Sequence, residues 1–374
     1  FADIAEGLAI PTAEVKVIRA NEKGNFLAQE NVTMENIHEH LDITFVSSKC
    51  LSFTNTRYIV GKKTLRLLGK TPSETDINEA NKFDSEVVAR TILAGLLVHA
   101  IRSNPEKSKI TKHYDLSLGL PFVEIDQEKF QKNSERFIGT HELTYHYPNG
   151  EKVDVTLVIE FALTLPESAI AGYAVVYDRQ GNLKEYNIKV EEESKLVQKT
   201  VTLEDMMLLL ADIGAGTLDL AVLMGINFDF QNSYGEEIGT KRTIEQIRIA
   251  WNEEHPNDKI NSLTKFTEIY SNDEDFNSAK LRIFAKPYLQ DDAAKIARVI
   301  KNKMEELPSN TLIILCGGGS LLFKDSLTLL LSKYSDRIIF KKDAKFANAE
   351  GLLTFALHPA FEEIKKDFLV QVNV

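Results

Sequence analysis

Between residues 206 and 222 an apolar run meets a glycine-rich turn and then resumes as alternation. Leu208, Leu209, Leu210 and Ala211 lead into Asp212-Ile213-Gly214-Ala215-Gly216-Thr217, after which Leu218, Leu220 and Val222 mark every second position. That pattern predicts strand, tight turn, strand. Gly214 and Gly216 let the backbone turn sharply and bring bare N–H groups up to an anion. Thr217 adds a hydroxyl. Asp212 stands where the first strand ends, a position suited to holding hydrated Mg²⁺ against phosphate oxygens. Two other readings use the same residues. A dinucleotide-binding turn needs G-x-G-x-x-G leading into a helix, but Asp219 fills the third glycine position and strand alternation follows it. An ordinary hairpin with glycines in its turn needs no ligand at all.

Composition narrows the class. The chain has 374 residues, enough for about two domains. Its 43% hydrophobic and 26% charged residues are those of a folded soluble protein. Apolar runs such as 206–211 and 312–316 are too short to span a bilayer, so no membrane role is expected. A net charge of −11 argues against direct binding to nucleic acid, which needs a basic surface. Two cysteines, Cys50 and Cys316, stand outside any metal spacing and fit a reducing cytoplasm. His38-Glu39-His40, the one close histidine pair, fits a solvated loop or helix edge better than a metal site.

Along the chain, short strands are expected at 15–18, 43–46 and 57–61. A wide apolar face built on Val88, Ile92, Leu96 and Ile101 predicts a helix over 84–102 with Asp84 as N-cap. Strands follow at 115–121 and 153–165, then Pro166-Glu167-Ser168 and a small-residue helix from Ala169. The charged run 191–195 reads as a surface excursion. Later come a helix over 243–251, a loop over 252–258, a helix over 291–306 and a buried strand over 311–316. Strands and helices mixed in this way predict α/β layers. The division falls at 168, giving domains 1–168 and 169–374.

Four segments occur in order: the Asp212 hairpin; Ser233-Tyr234-Gly235-Glu236-Glu237-Ile238-Gly239 with Lys241; the strand 312–316 capped by Gly317-Gly318-Gly319-Ser320; and Ala347-Asn348-Ala349-Glu350-Gly351. Together they resemble the actin-like ATPase superfamily, whose D-x-G-x-G-T-x-D hairpin holds the β- and γ-phosphates. The segments Pro166-Glu167-Ser168-Ala169-Ile170-Ala171-Gly172-Tyr173 and 347–351 resemble the ParM/StbA-type plasmid-partition actins. The resemblance covers roughly 115–357. It implies two related α/β domains with a nucleotide cleft between them.

It also implies roles. Asp212 would hold the Mg²⁺ shell, and Gly214, Ala215, Gly216 and Thr217 would cradle phosphate. Glu167 would orient or activate the attacking water, although an acid there also suits the dipole of the helix that follows. Gly317, Gly318, Gly319 and Ser320 would border adenosine, with Gly235, Gly239 and Lys241 flanking it. The superfamily's first half opens with D-x-G-x-G-x-x-K. Here the counterpart is Ala2-Asp3-Ile4-Ala5-Glu6-Gly7, where Ala5 replaces a glycine and Lys16 comes six residues late. Asp3 is the second metal-side carboxylate on this reading, and Gly7 a phosphate contact.

The function implied is a filament-forming ATPase using ATP or GTP with Mg²⁺, self-associating and moving plasmid DNA through a separate DNA-binding adaptor. A small-molecule kinase and a non-hydrolysing nucleotide-binding scaffold are the alternatives on the same fold.

Overall fold

A computed structural model describes residues 18–20, 41–60, 83, 85–122, 126–192, 195–261, 263–272 and 274–372. The expected first-loop residues Asp3, Gly7 and Lys16 lie outside the described residues, as do 15–17 of the first expected strand. In chain order the first elements are β1 (Ile18–Ala20), β2 (Leu41–Ser47), β3 (Thr56–Val60), α1 (Glu86–Arg102), β4 (Lys109–Leu120), α2 (Gln127–Phe137), β5 (Gly139–His146), β6 (Lys152–Pro166) and α3 (Ala171–Val176). Then come β7 (Tyr186–Glu192), β8 (Lys195–Val201), β9 (Met207–Ile213), β10 (Leu218–Met224), β11 (Asn227–Glu236), α4 (Thr240–Glu254), α5 (Leu263–Ser271) and α6 (Ser278–Glu306). The chain closes with β12 (Leu312–Cys316), α7 (Gly318–Leu322), α8 (Lys324–Leu330), β13 (Ile338–Phe340), α9 (Ala347–Leu357) and α10 (Pro359–Val372).

The chain forms two compact units, and a single cut at 168 does not separate them. The first unit comprises Phe1–Ala174, Arg179–Gly181 and Asn348–Val374; the second comprises Val175–Asp178 and Asn182–Ala347. The closing helices belong to the first unit because they complete its core. The Phe161 ring on β6 meets Phe361 and Phe368 of α10 at 5.2 and 5.3 Å. Ile170 packs in the same cluster with Leu352 and Leu353 of α9. Gly351 lets α9 approach: a Cβ there would sit 2.1 Å from the Ile170 carbonyl oxygen.

In the first unit a six-stranded sheet runs β1-β4-β6-β5-β2-β3, with β4 and β6 parallel and the other pairs antiparallel. α1 buries Ala89, Ile92, Leu93, Leu96 and Leu97 in one core with Leu116, Leu118, Val155 and Leu157. Its cap is Ser85, not Asp84: the Ser85 hydroxyl accepts the Val88 N–H.

In the second unit a five-stranded sheet runs β11-β10-β9-β12-β13, with β9, β12 and β13 parallel and β9-β10-β11 antiparallel. α4, α5 and α6 bury Ile247, Trp251, Phe266, Leu281, Ala285, Ile296 and Ile300 against Leu209, Ala211 and Leu220 of this sheet. The helix expected over 291–306 begins earlier, at Ser278, and runs through Pro287. Leu281, Ala285 and Leu289 continue the buried stripe while Pro287 falls on the exposed side, so packing holds the helix where propensity alone would break it. The expected loop over 252–258 likewise starts inside α4, which ends at Glu254. Of the charged run 191–195, Glu191, Glu192 and Lys195 belong to a two-stranded ribbon, β7 with β8, in which Glu192 pairs with Lys195.

Candidate active site

The second unit carries the glycine-rich hairpin. β9 and β10 pair in regular register, with Leu218 opposite Ile213 and Asp219 opposite Asp212. Directly opposed residues share one sheet face, and like charges there repel. Asp212 is 7% exposed and Asp219 3%, so two acids face one another in a buried place that attracts a cation. The Thr217 hydroxyl donates to Asp219 Oδ2 at 3.1 Å. Cys316 is the β12 partner of Asp212. Burial, then the charges of Asp212 and Asp219, pushes its thiol well above the ordinary range. It stays protonated, with its sulfur 3.7 Å from the Ala211 carbonyl oxygen, and adds no further negative charge. Among the described residues, no three His, Cys, Asp or Glu side chains gather as a metal cage. One or two carboxylates holding a largely hydrated ion is how Mg²⁺ is usually bound beside phosphate.

The turn is held from beneath. Gly214 N–H donates to the Thr217 carbonyl at 2.8 Å. At the start of α4, Thr240 N–H donates to the Gly214 carbonyl at 3.1 Å and Lys241 N–H to the Ala215 carbonyl at 2.8 Å. Helix N-termini have orphan donors, and here the turn supplies the acceptors. A planar trans peptide points its N–H opposite its C=O, so the amides of Ala215 and Gly216 are directed away from α4. Gly239, the N-cap of α4, allows this contact, since a Cβ there would lie 2.2 Å from the Ala215 carbonyl oxygen.

The triple glycine packs on the same turn. Gly317 has φ +78, and a Cβ on it would lie 2.2 Å from Asp212 Oδ1. A Cβ on Gly319 would lie 2.4 Å from Ile213 Cγ2, whereas one on Gly318 would meet nothing within 4 Å. Gly317 and Gly319 therefore bring β12 against the hairpin, and Gly318 borders open space. Ser320 is fully buried and donates its hydroxyl to the Gly317 carbonyl at 2.8 Å, which fixes the turn. Gly235 lies on β11 opposite Asp219. The second unit thus gathers Asp212, Gly214, Ala215, Gly216, Thr217, Gly235, Gly239, Lys241, Gly317, Gly318, Gly319 and Ser320 around one hairpin.

Glu167 belongs to the first unit, just past β6, and is buried. Its N–H donates to the Leu120 carbonyl at 2.8 Å, and its own carbonyl accepts from Ala169 at 2.7 Å. Ser168 next to it has φ +63, a left-handed conformation unusual for a residue with a side chain. The Ser168 N–H is held by Asn348 Oδ1 at 2.8 Å. Gly119 leaves room for the glutamate: a Cβ there would come within 3.0 Å of Glu167 Cγ. A strained residue kept in place by converging contacts is a common mark of a functional turn.

Sequence reasoning passed over three residues that these arrangements use. Asp219 was already present in the D-x-G-x-G-T-x-D spacing, and Asn348 in the A-N-A-x-G segment. Gly119 gave no signal, because a glycine inside an alternating strand looks like any other.

No known family's sequence profile matches the chain, and no curated protein matches it. Solved structures do. The actin-like protein Alp7A superposes with a TM-score of 0.62 at 19% identity, over 89% of this chain and 86% of its own. The fold is that of the actin-like proteins. Ta0583, an archaeal actin homolog, superposes with a TM-score of 0.55 at 20% identity, covering 85% of this chain and 87% of its own. Bacillus thuringiensis ParM, solved with ADP, gives 0.52 at 16% identity over 93% and 91%. Against this actin-like architecture, the hairpin 210–222 and the strand β12 that leads into the triple glycine occupy one sheet, and Glu167 follows a strand of the other.

Proposed function

We propose that this actin-like protein binds ATP with Mg²⁺, assembles with copies of itself into filaments, and hydrolyses the nucleotide as part of that cycle. The observation that carries the reading is the buried Asp212–Asp219 pair beneath a turn whose Ala215 and Gly216 amides point away from the helix that braces it. Such a turn offers donors to phosphate oxygens, and the acids suit a cation beside them. Mg²⁺, when bound, neutralises phosphate charge. Asp212 would hold its water shell, with Asp219 across the ladder and Thr217 orienting Asp219. Gly214, Ala215, Gly216 and Thr217 would cradle phosphate, and Gly318 would border the adenosine in the space its missing side chain leaves open. Gly235, Gly239 and Lys241 would flank the nucleotide. Glu167, fixed by Leu120, Gly119 and Asn348, would orient the attacking water; phosphoryl transfer asks for positioning more than for a strong base. The B. thuringiensis ParM solved with ADP and with ATP supports the choice of adenine nucleotide. The ParM likeness supports, as part of this reading, plasmid movement through a DNA-binding adaptor, and an acidic chain suits that indirect link to DNA.

The test is 90° light scattering after addition of MgATP or MgGTP, read together with phosphate release. Wild type should scatter and then decay. Asp212→Ala should lose nucleotide binding, whereas Glu167→Ala should bind, assemble and fail to decay. No scattering at any concentration, with phosphate release unaffected by either substitution, would overturn the proposal.

A further inference from the structure

The five-stranded sheet of the second unit stops at β13, and among the described residues no further strand pairs with it. β13 meets β12 through the Arg337 carbonyl, which accepts the Ile313 N–H at 2.8 Å, and through the Lys341 N–H, which donates to the Leu315 carbonyl at 3.0 Å. Alternate residues of a strand face the same neighbour, so the N–H and C=O of Ile338 and Phe340 point to the open side. Ile338, Ile339 and Phe340 are all partly exposed. Two donors and two acceptors therefore line an edge whose side chains are apolar.

Charge sets this edge apart. In a chain of net charge −11, residues 324–345 hold Lys324, Lys333, Arg337, Lys341, Lys342 and Lys345 against Asp325, Asp336 and Asp343. The acids do not cancel the lysines at the edge. Asp336 pairs with Arg337 at 3.5 Å, and Arg337 also donates to the Ser309 carbonyl, so that pair adds no net charge. Asp325 lies on the α5 side of α8, where its charge reaches Tyr270. Asp343 alone stands among Lys341, Lys342 and Lys345 in the turn after β13. Lys324 holds its ammonium 5.5 Å above the Phe340 ring, and Lys324, Lys342 and Lys345 are exposed.

We infer that the β13 edge takes an extended acidic segment of another protein as an added strand. Main-chain bonds to Ile338 and Phe340 hold the segment, and its carboxylates meet Lys324 and Lys342. Lysines on a sheet edge ordinarily keep foreign strands away, because pairing brings their charge out of water. An acidic strand offsets that cost and a neutral or basic one does not, so the residues that exclude most strands select this one. The edge lies apart from the proposed nucleotide residues, so the inference is independent of the filament reading.

The probe is a fluorescein-labelled, end-capped peptide, Glu-Val-Glu-Thr-Glu-Val-Glu, titrated with the full chain and read by anisotropy. It should bind, and salt should weaken it. The same peptide with Lys in place of Glu should not bind. A peptide of unchanged charge whose three central amides are N-methylated cannot pair with an edge, and should bind about tenfold more weakly. On the protein, Lys324→Glu combined with Lys342→Glu should weaken the parent peptide by about tenfold. Ile338→Pro should weaken it similarly, because it removes an outward N–H and no bond to β12. Circular dichroism, Trp251 fluorescence and binding of a fluorescent ATP analogue check that both variants stay folded. Equal binding of the parent and N-methylated peptides would show attraction by charge alone and overturn strand addition. Absence of binding by the parent peptide, or binding indifferent to the lysine reversals, would overturn the inference outright.

Discussion

The two units place their candidate residues by opposite means. In the second, β9 and β10 are consecutive, and residues 214–217 carry the chain from one to the other. The turn, the opposed acids and their threonine lie within eight residues, 212–219. In the first unit Glu167 is fixed by the Leu120 carbonyl, by Gly119, and by Asn348 acting on Ser168 from 180 residues away. The buried Asp115 takes Lys365 from 250 residues away. A site made by a hairpin takes its shape from consecutive residues, and Gly239 and Gly317 let α4 and β12 close on it. A site made by distant segments depends on the closing helices staying docked, and so it should be the more easily loosened.

The largest expected effect breaks the hairpin site. Gly317→Ala forces a side chain onto φ +78 and onto Asp212, at a cost of about 3–5 kcal/mol. Trp251, the single tryptophan, is buried in the second unit, and its fluorescence in urea should show that unit unfolding at much lower denaturant. An unchanged midpoint would mean that β12 does not pack on the hairpin as described.

Acid should loosen the other unit first. His99, His141, His146 and His358 are all held below the ordinary histidine range by burial, and all lie in the first unit. His99, on Tyr114, is pushed down to about 4, mainly by burial and then by Lys112 and Arg102. The unfolded chain takes up this proton near pH 6.5, and the folded chain only near 4. Stability is therefore full above about pH 6.5 and is lost as pH falls from there to about 4, by up to about 3 kcal/mol for His99. Hydrogen exchange should show α1 and β4 opening at a higher pH than β9 and β10. His99→Gln should flatten the trend, and simultaneous opening of both units would remove this contrast.

Lys365→Met tests the long-range tether. It takes the lysine from a largely buried pair with Asp115 and should cost about 2–3 kcal/mol. Limited proteolysis should then release α10 while Trp251 emission stays native. Asn348→Ala is milder, about 1–2 kcal/mol for the lost acceptor of the Ser168 N–H. Its sharper readout is phosphate release, which should fall while nucleotide affinity holds; a fall in both would make Asn348 merely structural. Smallest is Gly318→Ala, with open space around its Cβ and no positive φ. It should change stability by less than about 0.5 kcal/mol yet weaken ATP-analogue binding. Unchanged binding would remove the nucleotide from that space.

The second unit's site was therefore the readable one. Gly214, Gly216 and Thr217 stand in sequence as they stand in space, and turn chemistry acts over neighbouring residues. The start of α6 was not readable, because Pro287 looks like a stop until the burial of Leu281 and Ala285 outweighs it. Nor was the division of the chain. Nothing local in 348–374 distinguishes helices that pack on the second unit from helices that return to the first.

By itself, the sequence determined the α/β layers, the hairpin with its phosphate-binding composition, and Glu167 behind a proline at a strand end. These rest on periodicity and on the φ freedom of particular residues, properties carried by a few consecutive positions. Tertiary structure decided which glycines are obligatory, that Asp219 opposes Asp212, that Asn348 holds the Glu167 turn, and that α9 and α10 complete the first core. Apart from the Asp212–Asp219 register, which the short hairpin sets, each of these depends on segments far apart in the chain coming within a few ångströms, and close packing settles which ones meet.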